Sequence, residues 1–376
     1  MDLNDTPQQA SHRQEVRAWL ETNRAQAPPR SGSYEDQGYV DARRAWQGRL
    51  AEAGLAAVTW PREFGGRGLG PIEQVTVNQE MARAQVPGIL DVIGIGMLGP
   101  CIIVHGTEEQ KRRYLGPMLH GDEVWCQMFS EPGAGSDLAA VQTRARHGEP
   151  DQRTRARHGE GENLPVARSS VAGDRARDGR AGTWKLNGQK VWTTNAQFAS
   201  FGLLLARTDP DIPKHKGLTM FIVPMDAEGI TVRGLRQISG EAEFNEVFLD
   251  DVVLDDDAVL GGVGNGWGTA MTVLMYERLA IGFGSESFGS PAQLAATVAA
   301  DGIAAGDSEM RQRLGRIHTD VLAVRFNGYR ALSALSEGRI PGPEAGLAKV
   351  TMVNAAIAAA DLAADVVGPD ALQADN

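Results

Sequence analysis

The sequence predicts an α+β chain in three parts: a helical N-terminal domain over residues 1–124, a β-barrel domain over 125–256 and a C-terminal helical bundle over 257–376. Three observations carry that reading. Apolar residues recur at steps of three and four up to about Gly121 and again after Gly262. Between them, short β-branched and aromatic runs alternate with Asp, Pro and Gly turns. The 376 residues suffice for two or three domains, and 45 glycines predict many tight turns.

The first helix carries a capping-box pattern, Ser11 with Gln14, ahead of Val16, Trp19 and Leu20 on one face. A second runs from about Asp41 through Ala45, Trp46, Leu50 and Ala53, and Gly54 is placed to end it. After a break at Trp60-Pro61 and Gly65-Gly66, Ile72, Val75 and Met81 mark a third helix. Thr107 with Gln110 opens another, which closes at Gly121. Trp125 to Ser130 reads as a strand, and Trp184 to Trp192 reads as a hairpin turning at Asn187-Gly188, a pair suited to a type I′ turn. Phe201–Ala206, Leu218–Val223, Ile230–Leu235 and Glu246–Leu249 complete a small barrel. Helices resume at Leu274–Ile281, then with Leu314, Ile317, Val321 and Val324. The last starts at Pro343, places Leu347, Val350, Val353 or Asn354, and Ile357 on one face, and stops at Gly368-Pro369.

The heptapeptide TRARHGE occurs at Thr143–Glu149 and again at Thr154–Glu160. From Thr143 to Gly182 there are nine Arg against six Asp plus Glu and no apolar period, which favours a solvated basic insertion over an anion-binding arm. The whole chain, with 37 Lys plus Arg against 48 Asp plus Glu, carries −11, which argues against a general nucleic-acid or anionic-membrane surface. Cys101 and Cys126 form neither a disulfide framework nor a zinc pattern, and no histidine has a second ligand at metal spacing. The polar, acidic start does not resemble a signal peptide. Apolar runs such as Leu203–Ala206 and Ala355–Ala360 fall short of the roughly 18 residues of a membrane span. A soluble, cytoplasmic protein is expected.

Two runs hold the chemistry. Gln127 to Asp137, QMFSEPGAGSD, is a strand delivering a Gly-rich loop: Gly133 and Gly135 admit close backbone approach, and Ser130 and Ser136 offer donors. It is not a dinucleotide fingerprint, because no G-x-G-x-x-G opens a helix after the strand. Lys190 to Ala196, KVWTTNA, sets Trp192 two residues from Thr194, so that an indole and a hydroxyl share a strand face suited to a planar ring. Each run alone is compatible with ordinary turn and packing roles.

Together with Glu243–Val252, Gly266-Trp267 and Tyr276-Glu277-Arg278, in this order on an α–β–α frame, the two runs closely resemble the acyl-CoA dehydrogenase family. The resemblance extends from Trp60–Gly66 to the Pro341–Glu344 turn. It implies FAD, contacted by Gln127, Phe129, Ser130, Gly135 and Ser136 on the first run and by Trp192, Thr193 and Thr194 on the second. It implies α,β-desaturation of an acyl-CoA thioester, with Glu277 as the base that removes the α-proton and Arg278 as the fixed charge beside it. Ser136 and Arg278 are the implied substrate contacts. It further implies electron delivery to an electron-transfer flavoprotein and a homodimer or homotetramer. Family members usually continue beyond a turn like Gly368-Pro369, so the end at Asn376 reads as a truncated C-terminus. That feature motivates an alternative, a non-catalytic or half-site subunit of a heteromer. An oxygen-using flavin monooxygenase or oxidase of the same fold is a lesser one.

Overall fold

The computed structural model describes residues 5–148, 182–282, 302, 306–337, 339 and 344–369. The chain divides into two compact units. One comprises Met1–Thr22, Leu69–Gln85 and Glu277–Asn376, and the other Asn23–Gly68 and Val86–Tyr276. The early helices are shared between them: α1 (Pro7–Asn23) and α3 (Pro71–Ala84) group with the C-terminal helices, whereas α2 (Gln37–Glu52), α4 (Gly99–His105) and α5 (Glu108–His120) group with the sheet.

In the first unit, α1 begins one turn before the expected Ser11–Gln14 box. Thr6 Oγ1 accepts from the Gln9 N–H at 3.3 Å, and Gln9 Oε1 accepts from the Thr6 N–H at 2.9 Å. Both positions fit the capping pattern, but Pro7 supplies a preset φ at the first helical residue and selects the earlier one. α1 and α3 are joined by charge. The buried Glu80 carboxylate takes Arg17 Nη2 at 2.9 Å, Arg83 Nε at 2.9 Å and Arg13 Nη1 at 3.3 Å.

The C-terminal helices α7 (Ser308–Ser336) and α8 (Glu344–Val367) pack through Ile317 against Ala359 and Leu362, with Leu314 and Val321 partly buried beside them. The α8 face expected to seek a core is turned outward: Leu347, Val350, Val353 and Ile357 are 48–61% exposed. The buried line is instead Ala348, Ala355, Ala359 and Leu362, because small side chains let the α7 backbone approach closely. Within α8, Gly346–Val367 is also long and apolar enough by length and composition to cross a membrane. A count of uninterrupted apolar runs misses this segment, because its alanines carry the average past Lys349 and Asp361.

In the second unit α2 is tied to its neighbours by buried polar side chains. Trp46 Nε1 donates to the Pro87 carbonyl at 2.8 Å, and Gln47 Nε2 to the Met118 carbonyl of α5 at 2.9 Å. The capping box expected for α5 forms, with Thr107 and Gln110 bonding reciprocally, and Gly121 ends that helix at φ +79°. Gln110 Nε2 also reaches the Asp257 and Val259 carbonyls, at 2.8 and 3.0 Å.

Among the described residues eight strands form one mixed sheet: β1 (Trp125–Met128), β2 (Arg144–Gly148), β3 (Thr183–Thr194), β4 (Phe201–Arg207), β5 (Leu218–Pro224), β6 (Ile230–Leu235), β7 (Phe244–Asp255) and β8 (Val259–Leu260). The order is β6-β7-β3-β2-β4-β5-β8, with β1 pairing parallel to β4. Inward residues of every strand from β1 to β5 and of β7, among them Met128, Ala145, Leu186, Leu204, Phe221 and Leu249, share one apolar core.

The expected hairpin at Asn187-Gly188 is absent, and β3 runs straight through it. Asn187 Nδ2 donates to Asp251 Oδ1 at 2.9 Å, and Asn187 Oδ1 accepts from the Asp251 N–H at 3.0 Å across a bulge in β7. A Cβ on Gly188 would lie 2.4 Å from Thr143 Oγ1, so this glycine serves close strand packing. The first heptapeptide copy, expected within the basic insertion, supplies β2: Ala145 is buried between the exposed Arg144 and Arg146, an alternation that ends at the exposed His147. The second copy lies outside the described residues.

Hydrogen bonding from Arg17 holds the Glu80 carboxyl down at about 2 against the opposing effect of burial, with Arg83 and Arg13 adding to it. Since this folded-state value lies below the unfolded one, the stabilisation is complete above about pH 4.5 and is lost as pH falls toward 2. Glu80→Gln is expected to lower stability at pH 7 by roughly 2 kcal/mol and to flatten the acid limb, as checked by urea unfolding between pH 7 and 2.5.

Candidate active site

The two chemistry-bearing runs, about 60 residues apart in sequence, meet in the second unit, where the Val191 N–H donates to the Ser130 carbonyl at 2.9 Å. The strands that carry them are not ladder partners, since β1 pairs β4 while β3 pairs β2 and β7. β1 runs beside β4 only as far as Met128 opposite Leu204, and β2 joins β4 only at Arg144 opposite Arg207. Leu205 lies in the gap. There the fully buried Lys190 of β3 donates to the Leu205 carbonyl at 2.8 Å, the Phe129 carbonyl at 3.0 Å and Glu131 Oε1 at 2.8 Å.

Glu131 in turn closes the loop that follows β1. Its carboxylate accepts the Thr143 N–H at 2.9 Å and the Gln142 N–H at 2.6 Å, at the far end of that loop. Its backbone exchanges hydrogen bonds with Ala134 at 2.9 and 3.1 Å, which sets a tight turn beneath Pro132-Gly133. Arg207 secures the second limb through the Ala139 and Val141 carbonyls, at 2.6 and 3.1 Å. Burial penalises both charges. The Glu131 carboxyl nonetheless ends below the usual range, because the Lys190 charge and the N–H donors outweigh its desolvation. For Lys190, desolvation prevails over its partner and its pKa falls. Neither residue stands out in the sequence as functional; a Lys two places before a strand Trp gives no sign of enclosure.

On this junction the expected contact residues are distributed unevenly. Gly133, Gly135 and Ser136 are exposed, Ser130 and Gln127 half-buried, and Phe129 buried, so that Phe129 offers its backbone rather than its ring. A Cβ on Gly133 or Gly135 would meet nothing within 4 Å, and neither has positive φ. The protein's own packing therefore does not require glycine there.

Trp192 is 62% exposed and stands at φ +58°. It occupies a bulge in which the four residues from Lys190 to Thr193 oppose three on β7, Val247 to Asn245. The simple alternation that would set Trp192 and Thr194 on one face is thereby broken: Thr193 is buried with an unpartnered Oγ1, and Thr194 is half-buried. A left-handed backbone at a bulky residue costs about 1–2 kcal/mol. The indole it turns outward makes one edge contact with Phe244, at 5.9 Å between centroids. A strained, exposed indole beside an open Gly-Ser loop fits a planar cofactor ring with an anionic tail.

The start of β1 is fixed by another buried carboxyl. Asp91 accepts from the Trp125 N–H at 3.0 Å and the Gly94 N–H at 2.7 Å, its own N–H donates to Gln47 Oε1 at 2.9 Å, and burial pushes its pKa up to about 7. Glu277 and Arg278 lie on α6 (Gly266–Gly282), where Glu277 is half-buried and continues the helix face of the buried Ala270 and Val273, while Arg278 is exposed. Among the described residues no group of three or more His, Cys, Asp and Glu could hold a metal ion.

Two substitutions separate the burial of Lys190 from the strain at Trp192. Lys190→Ala, which leaves Glu131 buried without its cation, is expected to cost about 3–5 kcal/mol in urea unfolding. Trp192→Gly is expected to stay within about 1 kcal/mol of the parent, because relief of the left-handed backbone offsets the glycine entropy and the lost ring contact.

Three family models match the chain: "Acyl-CoA dehydrogenase, N-terminal domain" at residues 6–122, "middle domain" at 165–252 and "C-terminal domain" at 264–376. Acyl-CoA dehydrogenase IpdE1 of Mycobacterium tuberculosis (strain ATCC 25618 / H37Rv) is 36% identical over 365 residues, covering 95% of this chain and 85% of that protein. Among solved structures, the Tcur3481-Tcur3483 steroid ACAD is similar with a TM-score of 0.75 at 27% identity, over 100% of this chain and 88% of that one. The ChsE4-ChsE5 complex from Mycobacterium tuberculosis is similar with a TM-score of 0.75 at 28% identity, over 99% and 88%. With all three domain types in order around the junction that unites Ser130 with Trp192, the chain is a member of the acyl-CoA dehydrogenase family.

Proposed function

We propose that this acyl-CoA dehydrogenase is an FAD enzyme that introduces an α,β double bond into an acyl-CoA thioester, with Glu277 as the base. The carrying observation is the exposed Trp192 indole, next in the chain to Val191, whose N–H bonds the Ser130 carbonyl at the start of the Gly-Ser loop. The family is FAD-dependent, and the flavin supplies the acceptor for the hydride that leaves the β-carbon. Ser130, Gly135 and Ser136 on the loop, and Trp192 and the Thr194 hydroxyl on β3, would hold the flavin and the reacting end of the substrate. Thr193 and Phe129 contribute their backbone, since both side chains are buried.

The Glu277 carboxylate accepts the α-proton, and the electron pair released at the α-carbon becomes the new double bond. Arg278 contributes a fixed positive charge that orders the site. An electron-transfer flavoprotein would be the partner that reoxidises the enzyme. The similarity to a protein described as a steroid ACAD makes a bulky ring-bearing acyl group the first substrate class to try, with straight and branched chains beside it.

A second reading concerns assembly. Both solved relatives are described as pairs of differently named proteins. The outward stripe of Leu347, Val350, Val353 and Ile357 on α8 is an apolar surface of the kind that a neighbouring subunit covers. This favours an oligomer, and allows a heteromer in which a related chain completes the site.

Anaerobic titration of the FAD-loaded protein with an acyl-CoA panel is expected to bleach the flavin band, and Glu277→Gln to slow bleaching about 10²–10⁴-fold with FAD still bound. Absence of bleaching by every acyl-CoA, with or without a related subunit, would sink the dehydrogenase reading. Flavin bound only when a related chain co-purifies would select the heteromer. Leu347→Lys with Ile357→Lys is expected to lower the mass measured by light scattering to that of one chain.

A further inference from the structure

We infer that the Lys190–Glu131 pair is a positioning clamp, built across the seam between β1 and β2, that holds the Ser130 backbone and the loop after it in register with Trp192. Its bearing on the flavin rests on the function proposed above, but its geometry does not. Three features single the pair out. First, the two carriers of the site share no ladder, so the sheet itself does not fix Ser130 relative to Trp192. Apart from the single Val191–Ser130 backbone bond, Lys190 supplies the described polar contacts from this end of β3 to the β1 end and its loop.

Second, the contacts converge on one residue. Lys190 bonds the carbonyl of Phe129 and the side chain of Glu131, the two neighbours of Ser130, while Val191 bonds the Ser130 carbonyl. Ser130 is thus gripped on both sides and at its own backbone by residues that lead directly into the Trp192 bulge. Third, Glu131 extends the grip to the far end of the loop through Gln142 and Thr143, so one carboxylate fixes where the exposed Gly-Ser segment begins and ends.

A buried ion pair is a poor source of stability compared with apolar side chains of the same volume, so this one is better accounted for by the geometry it enforces. Ring contacts demand placement within about 0.5 Å, which a single backbone bond at a sheet seam does not guarantee.

Glu131→Gln leaves one amide oxygen where two carboxylate oxygens serve three donors, and the Lys190→Met/Glu131→Gln double variant removes both charges together. Leu20→Ala, in the core of α1, serves as a destabilised control that leaves the clamp intact. Hydrogen–deuterium exchange would be followed in peptides spanning residues 139–145 and 188–194, alongside FAD affinity by fluorescence. Both clamp variants are expected to exchange at least tenfold faster in these two segments and to bind FAD at least tenfold more weakly, with neither change in Leu20→Ala. Exchange matching that of Leu20→Ala would overturn the clamp. So would faster exchange with FAD affinity unchanged. If the parent protein takes up no FAD, alone or with a related subunit, the proposed function fails instead, and exchange in the two segments alone decides the clamp.

Discussion

Three protons on the Lys190 ammonium group hold the site together. The strand hand-over beside β4, from β1 to β2, leaves the Leu205 carbonyl without a ladder donor at the point where β1 departs into its loop. An ammonium ion placed there bonds the stranded carbonyl, the last part of β1 and the first carboxylate of the loop at once. A backbone N–H satisfies only one acceptor, and a neutral side chain would leave Glu131 uncompensated in the interior. The exposed features above the junction, a glycine-bearing loop and a strained tryptophan, are tolerable because the Lys190 ammonium and the Glu131 carboxylate below them bind the Phe129 and Leu205 carbonyls and the Gln142 and Thr143 N–H groups.

The same logic of buried polar side chains bridging elements recurs in the second unit. Gln47 links α2 to α5 and to Asp91, and Asp91 links the π-helical turn at Gly94–Leu98 to the first residue of β1. β1 is thus fixed at its start by Asp91 and at its end by Lys190. For a four-residue strand with a ladder on one side, these two anchors replace the second ladder. In the first unit the corresponding role falls to Glu80 among three arginines, nearer to solvent and correspondingly sensitive to acid.

Much of this was legible in the sequence where local chemistry decides the outcome. The Thr107–Gln110 capping box, the Gly121 stop and the Leu314–Ile317–Val321–Val324 stripe are set by residues a few positions apart. The two site runs stand out by their glycine, hydroxyl and tryptophan content, and with three further motifs they carry the family resemblance. Local patterns misled where tertiary contacts override them. Asn187-Gly188 has turn chemistry, yet pairing with β7 across a bulge keeps it in a strand. The Leu347–Ile357 stripe has core chemistry, yet the alanine line beside it packs closer to α7. Trp192 and Thr194 alternate on paper, yet one extra residue in the strand separates their environments. The clamp itself was invisible because two of its three acceptors are backbone carbonyls about 60 and 15 residues away and the third is a carboxylate about 60 residues away, which no local side-chain pattern encodes.

Trp192 is the proposed platform for the cofactor ring, and its fluorescence reports that role directly. With seven tryptophans in the chain, the Trp192 contribution is the difference between the parent and Trp192→Phe. Titration with FAD under conditions where Trp192→Phe also binds is expected to quench this difference emission in step with flavin uptake, reaching its limit at one FAD per chain. Flavin uptake that leaves the difference emission unchanged would contradict that role, since the ring would then lie away from the surface that the Lys190 junction builds.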